Sequence, residues 1–459
     1  MTVSAAEAAA AYDGRVEALR RALLAAPKDA PVRLRKRTSN LFRPRDRAAS
    51  PLDADGFDGV LSVDVANRTA DVGGMTTYEH LVDATLPHGL MPLVVPQLKT
   101  ITLGGAVTGL GIESSSFRSG CPHESVLEMD ILTGAGDVVT ARPDGEHRDL
   151  FFGFPNSYGS LGYALRLRIE LEPVSAFVHL RHLRFRDISA CVDAIEEICA
   201  SGGWDGEEVR FLDGMWCADD EVYLTLGSWS DTAPYVSDYT GRRVFYQSIP
   251  QRTEDYLTVR DYLWRWDTDW FWCSRAFGAQ HPVARAVWPK RLLRSNVYWK
   301  LVALERRYGL KARIDHALGK PDMEYVIQDI EVPASRLAEF LAFLHRQTSM
   351  TPVWLCPLVQ RDPEVTWDLY PLDPGTTYVN VGFWGGVELP AGESEPFHNR
   401  AIEQEVARLD GRKSLYSTAF YPEDEFWASY GGSTYELLKK TYDPDGRLLG
   451  LYEKTVQRR

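Results

Sequence analysis

A run of small residues limits most what this chain can become. Residues 102–116 read Thr-Leu-Gly-Gly-Ala-Val-Thr-Gly-Leu-Gly-Ile-Glu-Ser-Ser-Ser. Glycines at 104, 105, 109 and 111 have no Cβ, so the backbone can approach a ligand closely. Successive exposed N–H groups form a concavity that suits a pyrophosphate. Thr102, Thr108, Ser114 and Ser115 add hydroxyl groups. The spacing is not GxGxxG and no amphipathic helix follows, which fits a Rossmann turn poorly. No Gly-Lys-Ser/Thr follows either, so this is not a Walker loop. A purely structural turn between strands is the alternative that the spacing leaves open. A second small-residue turn, Ser157-Tyr-Gly-Ser-Leu-Gly, opens a strand about 45 residues later. Two such turns in one unit point to a single extended dinucleotide lying across both.

With 459 residues the chain exceeds what one core ordinarily holds, and two units are expected. Residues 4–25 have the period of an amphipathic helix. Strands are expected at 59–65 and 69–72 around a turn at Asn67-Arg68, at 93–95, as a hairpin over 126–132 and 137–141, and at 161–171. Pro173 and a change in composition close this unit. A strand at 178–185 and a helix at 188–200 begin the next. It continues with a strand at 325–332, a helix at 335–347, strands at 353–359 and 377–383, and a helical tail over 422–440. The class is α+β, with units at 1–174 and 175–410 and a C-terminal segment at 411–459.

Composition excludes several functions. A net charge of −13 repels a phosphate backbone, so nucleic acid is not an expected partner. The six cysteines include no CxxC pair and read as buried thiols of a reducing cytoplasm. No apolar run approaches the ~18 residues of a membrane span, which predicts a cytoplasmic protein, at most peripheral at the inner face of the membrane. Neither HxxxH nor HExxH occurs, nor GxSxG, so no metal site and no serine hydrolase is expected. Lysine is scarce beside arginine, and alanine, glycine and proline abound, as in GC-rich bacterial genomes. One stretch departs from the acidic average. Arg285, Lys290, Arg291, Arg294, Lys300, Arg306, Arg307, Lys311 and Arg313 stand against Glu305, with Trp288, Tyr298, Trp299 and Tyr308 among them and five more rings at 264–272. That mixture suits anionic lipid or the 2′-phosphate of NADPH; a solvated helix face with buried rings is the plain alternative.

On these residues the chain resembles FAD-binding oxidoreductases of the vanillyl-alcohol-oxidase (PCMH) type, and within them the Δ24-sterol reductase (Diminuto) family. The resemblance is carried by the 102–116 segment, Asp149-Leu-Phe with Gly159-Ser-Leu-Gly, Val326-Ile-Gln-Asp-Ile-Glu-Val-Pro, Pro352-Val-Trp-Leu-Cys-Pro, and Glu425-Phe-Trp with Gly432-Ser. It implies a two-domain PCMH-type fold with an α/β cap that binds substrate, and a last helix returning to the FAD domain. It implies FAD contacts from Thr102, Leu103, Gly104, Gly105, Ala106, Val107, Thr108, Gly109, Gly111, Ile112, Glu113, Ser114 and Ser115, and from Gly159 and Gly162. Thr38, Ser39 and Asn40 stand where the family has its first FAD loop, here without the usual glycines. No His or Cys stands at the usual attachment position upstream of Gly104, so the FAD is expected to be non-covalent. The eukaryotic sterol reductases carry an N-terminal membrane anchor, and none is expected for this sequence.

Reduction of an unactivated C=C bond needs a proton donor opposite the hydride. Tyr416 and Tyr421, which the resemblance brings over the flavin, are candidates, with Glu113, Gln328 and His123. For each, a structural role is the competing reading: a turn cap, core rings, a satisfied amide. The chain also resembles actinobacterial reductases of 10-methyl fatty acid synthesis. The expected reaction is therefore NADPH-driven reduction of a methylene branch on a phospholipid-borne acyl chain, after an S-adenosylmethionine-dependent methyltransferase has made it. A Δ24-sterol-type reductase, or a sugar or alcohol oxidase on the same fold, is the alternative.

Overall fold

The computed structural model describes residues 5–28, 30–36, 41–42, 50–308 and 321–457. Two antiparallel sheets organise the chain. The first has the strand order Val60–Asp64, Thr69–Gly73, Gly162–Pro173, Val126–Thr133, Val138–Ala141, with Leu90–Pro92 pairing on Gly162–Pro173. Its opening hairpin turns where the Asp64 carboxylate accepts from the Asn67 backbone and side chain, at 3.0 and 2.8 Å, with Arg68 at φ 51°, the local chemistry that favours Asn and Asp in turns. The long Gly162–Pro173 strand buries Leu165, Leu167, Ile169 and Leu171. The helix Ala5–Ala25 covers one side of this unit through Leu19 and Leu23, packed with Val32, Leu52, Phe57 and Leu448.

The second sheet has eight strands. Glu254–Thr258, Phe177–Phe185, Glu221–Ser230, Phe211–Ala218, Val353–Leu358, Tyr378–Glu388, Met323–Pro333 and Arg412–Lys413 follow one another across it. The chain passes from one sheet to the other between Pro173 and Phe177. Alternation decides which residues face which layer. Val326, Ile330 and Val332 pack with Leu224, Leu226, Val353 and Leu355 under the helices Ile188–Ser201, Leu337–Thr348 and Phe397–Arg408. The opposite face, with Val178, Leu180, Met215, Tyr223 and Trp354, joins a core continuous with the first sheet. The order of layers is helices, large sheet, aromatic interlayer, small sheet.

Two local expectations are corrected. Leu93, Val94 and Val95 are buried but form no strand; the strand is Leu90–Pro92. The tail is two helices, Glu423–Ser429 and Gly432–Tyr442, broken at Gly431. That residue has φ 65°, and a Cβ there would lie 2.1 Å from the Asp368 carbonyl oxygen, so only glycine fits. The second helix packs on the first unit: Tyr442 donates to Asp149 at 2.8 Å and Lys439 to the Ser160 carbonyl at 2.8 Å.

Candidate active site in the cleft between the sheets

One wall of the interlayer cleft is the glycine segment. It is a short helix, Leu103–Gly109, rather than a turn between strands. The Thr102 hydroxyl caps it by accepting from Gly105 N at 3.2 Å and also accepts from Lys36 Nζ at 3.1 Å. Leu103 and Val107, one turn apart, are buried in the core. The residues between them, Gly104, Gly105 and Ala106, line the cleft, followed by Thr108, Gly109, Gly111 and Ile112. Gly104 also rests on backbone, since a Cβ would stand 2.7 Å from the Gly74 oxygen. Gly159 and Gly162, of the second turn, line the same cleft. Lys454 reaches in from the C-terminal segment and donates to the Gly159 carbonyl at 2.8 Å.

The facing wall comes from the large sheet and from the turns after the helix Val259–Leu263, and is mostly rings. Trp354, Trp384, Trp270 and Phe271 line it. Trp270 and Phe271 have φ 46° and 58°, unusual for bulky residues. Among the rings sits one polar group of side chains. Trp384 Nε1 donates to the Tyr416 hydroxyl at 2.8 Å, and the same hydroxyl is hydrogen-bonded to the Asp329 carboxyl. Asn380 Nδ2 donates to Asp329 at 3.2 Å. Burial raises the Asp329 carboxyl to about 6, against the pull of Asn380 and Tyr416. Burial first, and Asp329 second, push the Tyr416 phenol well above its ordinary value. Tyr416 therefore holds a proton at neutral pH, with an acceptor on one side and a donor on the other.

Residues 9–142 match the family model of the FAD binding domain. The Delta(24)-sterol reductase of Arabidopsis thaliana is 25% identical over 445 residues, covering 89% of this chain and 77% of the relative. That of Homo sapiens is 25% identical over 411 residues, covering 86% and 75%. Cytokinin dehydrogenase 6 of Oryza sativa subsp. japonica is 39% identical over 118 residues, 26% of this chain and 22% of the relative. The chain is an FAD-binding oxidoreductase.

The cleft of this flavoprotein fits its cofactor. Gly105 presents bare backbone beside the Thr102 hydroxyl and the Lys36 ammonium, where a Cβ would meet them at 2.8 and 3.4 Å. A diphosphate fits such a small-residue surface with cations beside it. The rings opposite suit a flat isoalloxazine.

The residues expected at the FAD separate into three groups. Thr102, Gly104, Gly105, Ala106, Thr108, Gly109, Gly111, Ile112, Gly159 and Gly162 line the cleft. Leu103, Val107, Glu113, Ser114 and Ser115 do not: the first two are core, Glu113 is buried beside Arg265, Ser115 donates to the Leu93 carbonyl at 2.8 Å, and the Ser114 hydroxyl pairs with Glu113 and Tyr262. Thr38, Ser39 and Asn40 lie outside the described residues.

Of the proton-donor candidates, only Tyr416 is in the cleft. Tyr421 is buried against Tyr430 and Phe426, away from it. Gln328 points into the helix-covered face and donates to Asn399 at 2.7 Å. His123 is buried edge-on to Trp367, and burial lowers it to about 3. Glu113 is buried in an ion cluster: Arg265 reaches it at 3.3 Å and Asp213 at 2.7 Å, while Trp266 and Trp354 also donate to Asp213. Burial raises the Glu113 carboxyl despite Arg265. The cluster joins the end of the glycine segment to the large sheet.

Asp329, Asn380 and Trp384 were missed by sequence reasoning. The signal for Asp329 was strand parity: Val326, Ile330 and Val332 put even positions on the apolar face, so Asp329, not Gln328, faces the cleft.

The basic and aromatic stretch is also reapportioned. Arg285 is buried and paired with Asp269, Lys290 pairs with Asp238 at 3.3 Å, and Arg294 with Glu79 at 2.6 Å. Trp264, Trp266, Trp270, Phe271, Trp272 and Tyr298 are core. Lys311 and Arg313 lie outside the described residues, as do the side chains of Arg306 and Arg307.

Proposed function

We propose that this chain reduces a carbon–carbon double bond in a lipid, and specifically a methylene branch on a fatty acyl chain to a methyl branch, with NADPH as electron donor. The observation that carries the reading is Tyr416, a protonated phenol in a ring-lined cleft, braced by Trp384 and Asp329. Bound FAD supplies hydride to one carbon of the alkene. Tyr416 gives its proton to the other carbon. The Trp384 N–H then stabilises the phenolate oxygen, a proton from solvent restores the phenol, and the Asp329 carboxylate, its acceptor, keeps the hydroxyl in place. The rings bind the apolar chain and exclude water. Thr102, Gly105 and Lys36 would hold the diphosphate, and the wall from Trp270 to Trp384 would orient the isoalloxazine.

The names of the relatives favour C=C reduction, and they support a sterol Δ24 bond as the second reading. The acyl reading rests on likeness to reductases of methyl-branched fatty acids, whose substrate an S-adenosylmethionine-dependent methyltransferase would supply and with which this chain would associate. No helix among the described residues is long and apolar enough to cross a membrane. Val283, Val287 and Leu292 are 68%, 78% and 40% exposed. With the exposed Arg291 and Lys300 beside them in sequence, they support contact with an anionic bilayer from which substrate is drawn.

The test is expression with and without such a methyltransferase, followed by mass spectrometry of the lipids. Gain of two hydrogens on the methylene-branched chain is expected, and anaerobic bleaching of the flavin by NADPH faster than by NADH. Reduction of a sterol side chain instead would move the assignment to the second reading. Oxygen consumption with a sugar or alcohol and no lipid product would overturn both.

A further inference from the structure

A second pocket lies at the other end of the sheet face that forms the cleft wall. Facing residues in the strand registers place Arg184, Tyr223, Met215, Trp354, Gly382 and Asp329 in one row across six strands. Tyr223, which lines this pocket, and Trp354, which lines the flavin cleft, stand two strand spacings apart, roughly 10 Å, with Met215 between them, and none of the described residues lines both. It is lined by Arg184, Arg243, Arg252, His182 and Ser237, with Glu254 as the carboxylate on its rim.

Its polar groups are unusually unspent. Among the described residues, the exposed Arg184 and Arg243 guanidinium groups have no ion pair or hydrogen bond. Arg252 uses Nη1 on Ser237 and Asp255, at 3.0 and 3.2 Å. Glu254 leans toward His179, at 3.8 Å. Under them lies His182, 6% exposed, with Nδ1 held 2.9 Å from the Thr225 hydroxyl and Nε2 without a partner. Burial lowers this imidazole to about 4, so it is neutral at pH 7. When Thr225 donates to Nδ1, the N–H stands on Nε2 and lacks an acceptor. A buried donor without an acceptor is costly. Planar guanidinium forks match the oxygens of a carboxylate or a phosphate, and three of them around one pocket favour the more highly charged phosphate.

We propose that this pocket binds a phosphate ester group, held by Arg184, Arg243 and Arg252 with His182 Nε2 as a fourth donor. The inference does not depend on which double bond the cleft reduces. The shared chemistry is the phosphate; a lipid headgroup and a small soluble phosphate are its two sources.

Calorimetric titration of the flavin-loaded protein with inorganic phosphate and, separately, with dihexanoyl phosphatidic acid below its micelle concentration tests it. The same titrations are run on an R184Q/R243Q double variant, whose changed side chains are exposed and outside the flavin cleft. Saturable binding, weakened about tenfold or more in the variant with the visible flavin spectrum unchanged, is expected. Binding of both probes with similar affinity assigns a soluble phosphate, and binding of the lipid alone assigns a headgroup. Binding of neither, or equal binding by wild type and variant, overturns the proposal. His182→Phe, which keeps an aromatic ring but removes both ring nitrogens, should weaken binding in the same assay if His182 is a donor.

Discussion

Tyr416 and Tyr421 lie five residues apart and were equal on sequence, yet they make opposite predictions. Tyr416→Phe removes the cleft hydroxyl held by Trp384 and Asp329; turnover in the proposed reduction should fall about 100-fold or more with flavin retained. Tyr421→Phe should change turnover by less than about twofold, because its ring packs away from the cleft. Parallel measurement of turnover and of flavin absorbance decides both. Asp329 carries a pH signature. Its folded carboxyl stands near 6 against an ordinary 3.8, so the folded state holds the proton more tightly than the unfolded. Its cost is absent below about pH 4, grows as pH rises from about 4 to 6, and stays constant above. Asp329→Asn should therefore gain stability relative to wild type across that window, by about 1–3 kcal/mol, read from denaturant unfolding at pH 4 and pH 7. An unchanged difference between the two would mean that Asp329 is ionised at its ordinary value. The residue scale was half legible. The resemblance leads to Tyr416, which lines the cleft, whereas Asp329 emerges only from the parity of the strand Met323–Pro333, which turns Gln328 to the other face.

At the scale of elements, the glycine segment was located by composition but its conformation was not. Four glycines in ten residues argue against a helix on propensity, since each costs about 1 kcal/mol relative to Ala. The Thr102 cap and the burial of Leu103 and Val107 outweigh that cost. The glycines then do different work, and substitution separates them. Gly104→Ala puts a methyl 2.7 Å from the Gly74 oxygen; it should lower stability by about 1–3 kcal/mol and weaken flavin binding by displacing the helix. Gly105→Asp puts an acid on the cleft surface, and it should yield folded but colourless protein. Urea unfolding and visible absorbance of the two variants measure this, and a yellow Gly105→Asp protein would remove the diphosphate from that position. Strands elsewhere were easier: the hairpin at Asn67-Arg68 and the strand Phe177–Phe185 follow from alternation and turn chemistry, which are local. Leu93, Val94 and Val95 looked like a strand because burial alone was legible, and pairing is not written locally.

For the whole molecule, the buried cluster of Glu113, Arg265 and Asp213 ties the glycine segment to the large sheet. One guanidinium serves two buried carboxyls. Arg265→Met should therefore cost about 3–5 kcal/mol, since it strands both acids. Chemical denaturation reads this, and a loss below about 1 kcal/mol would show that the cluster does not join the units. The pairing was illegible in sequence because its members stand 52 and 152 residues from one another. The basic stretch misled for the same reason: summed along the chain it looked like a patch, but Asp269, Asp238 and Glu79 neutralise much of it from distant segments. A last consequence comes from the cleft, whose walls draw on residues from Val32 to Lys454. A nascent chain emerging from the ribosome has the small sheet and the glycine helix long before it has Tyr416 or Lys454. The flavin can be fully enclosed only after synthesis has passed that lysine, so completion of its site is a late step of biogenesis.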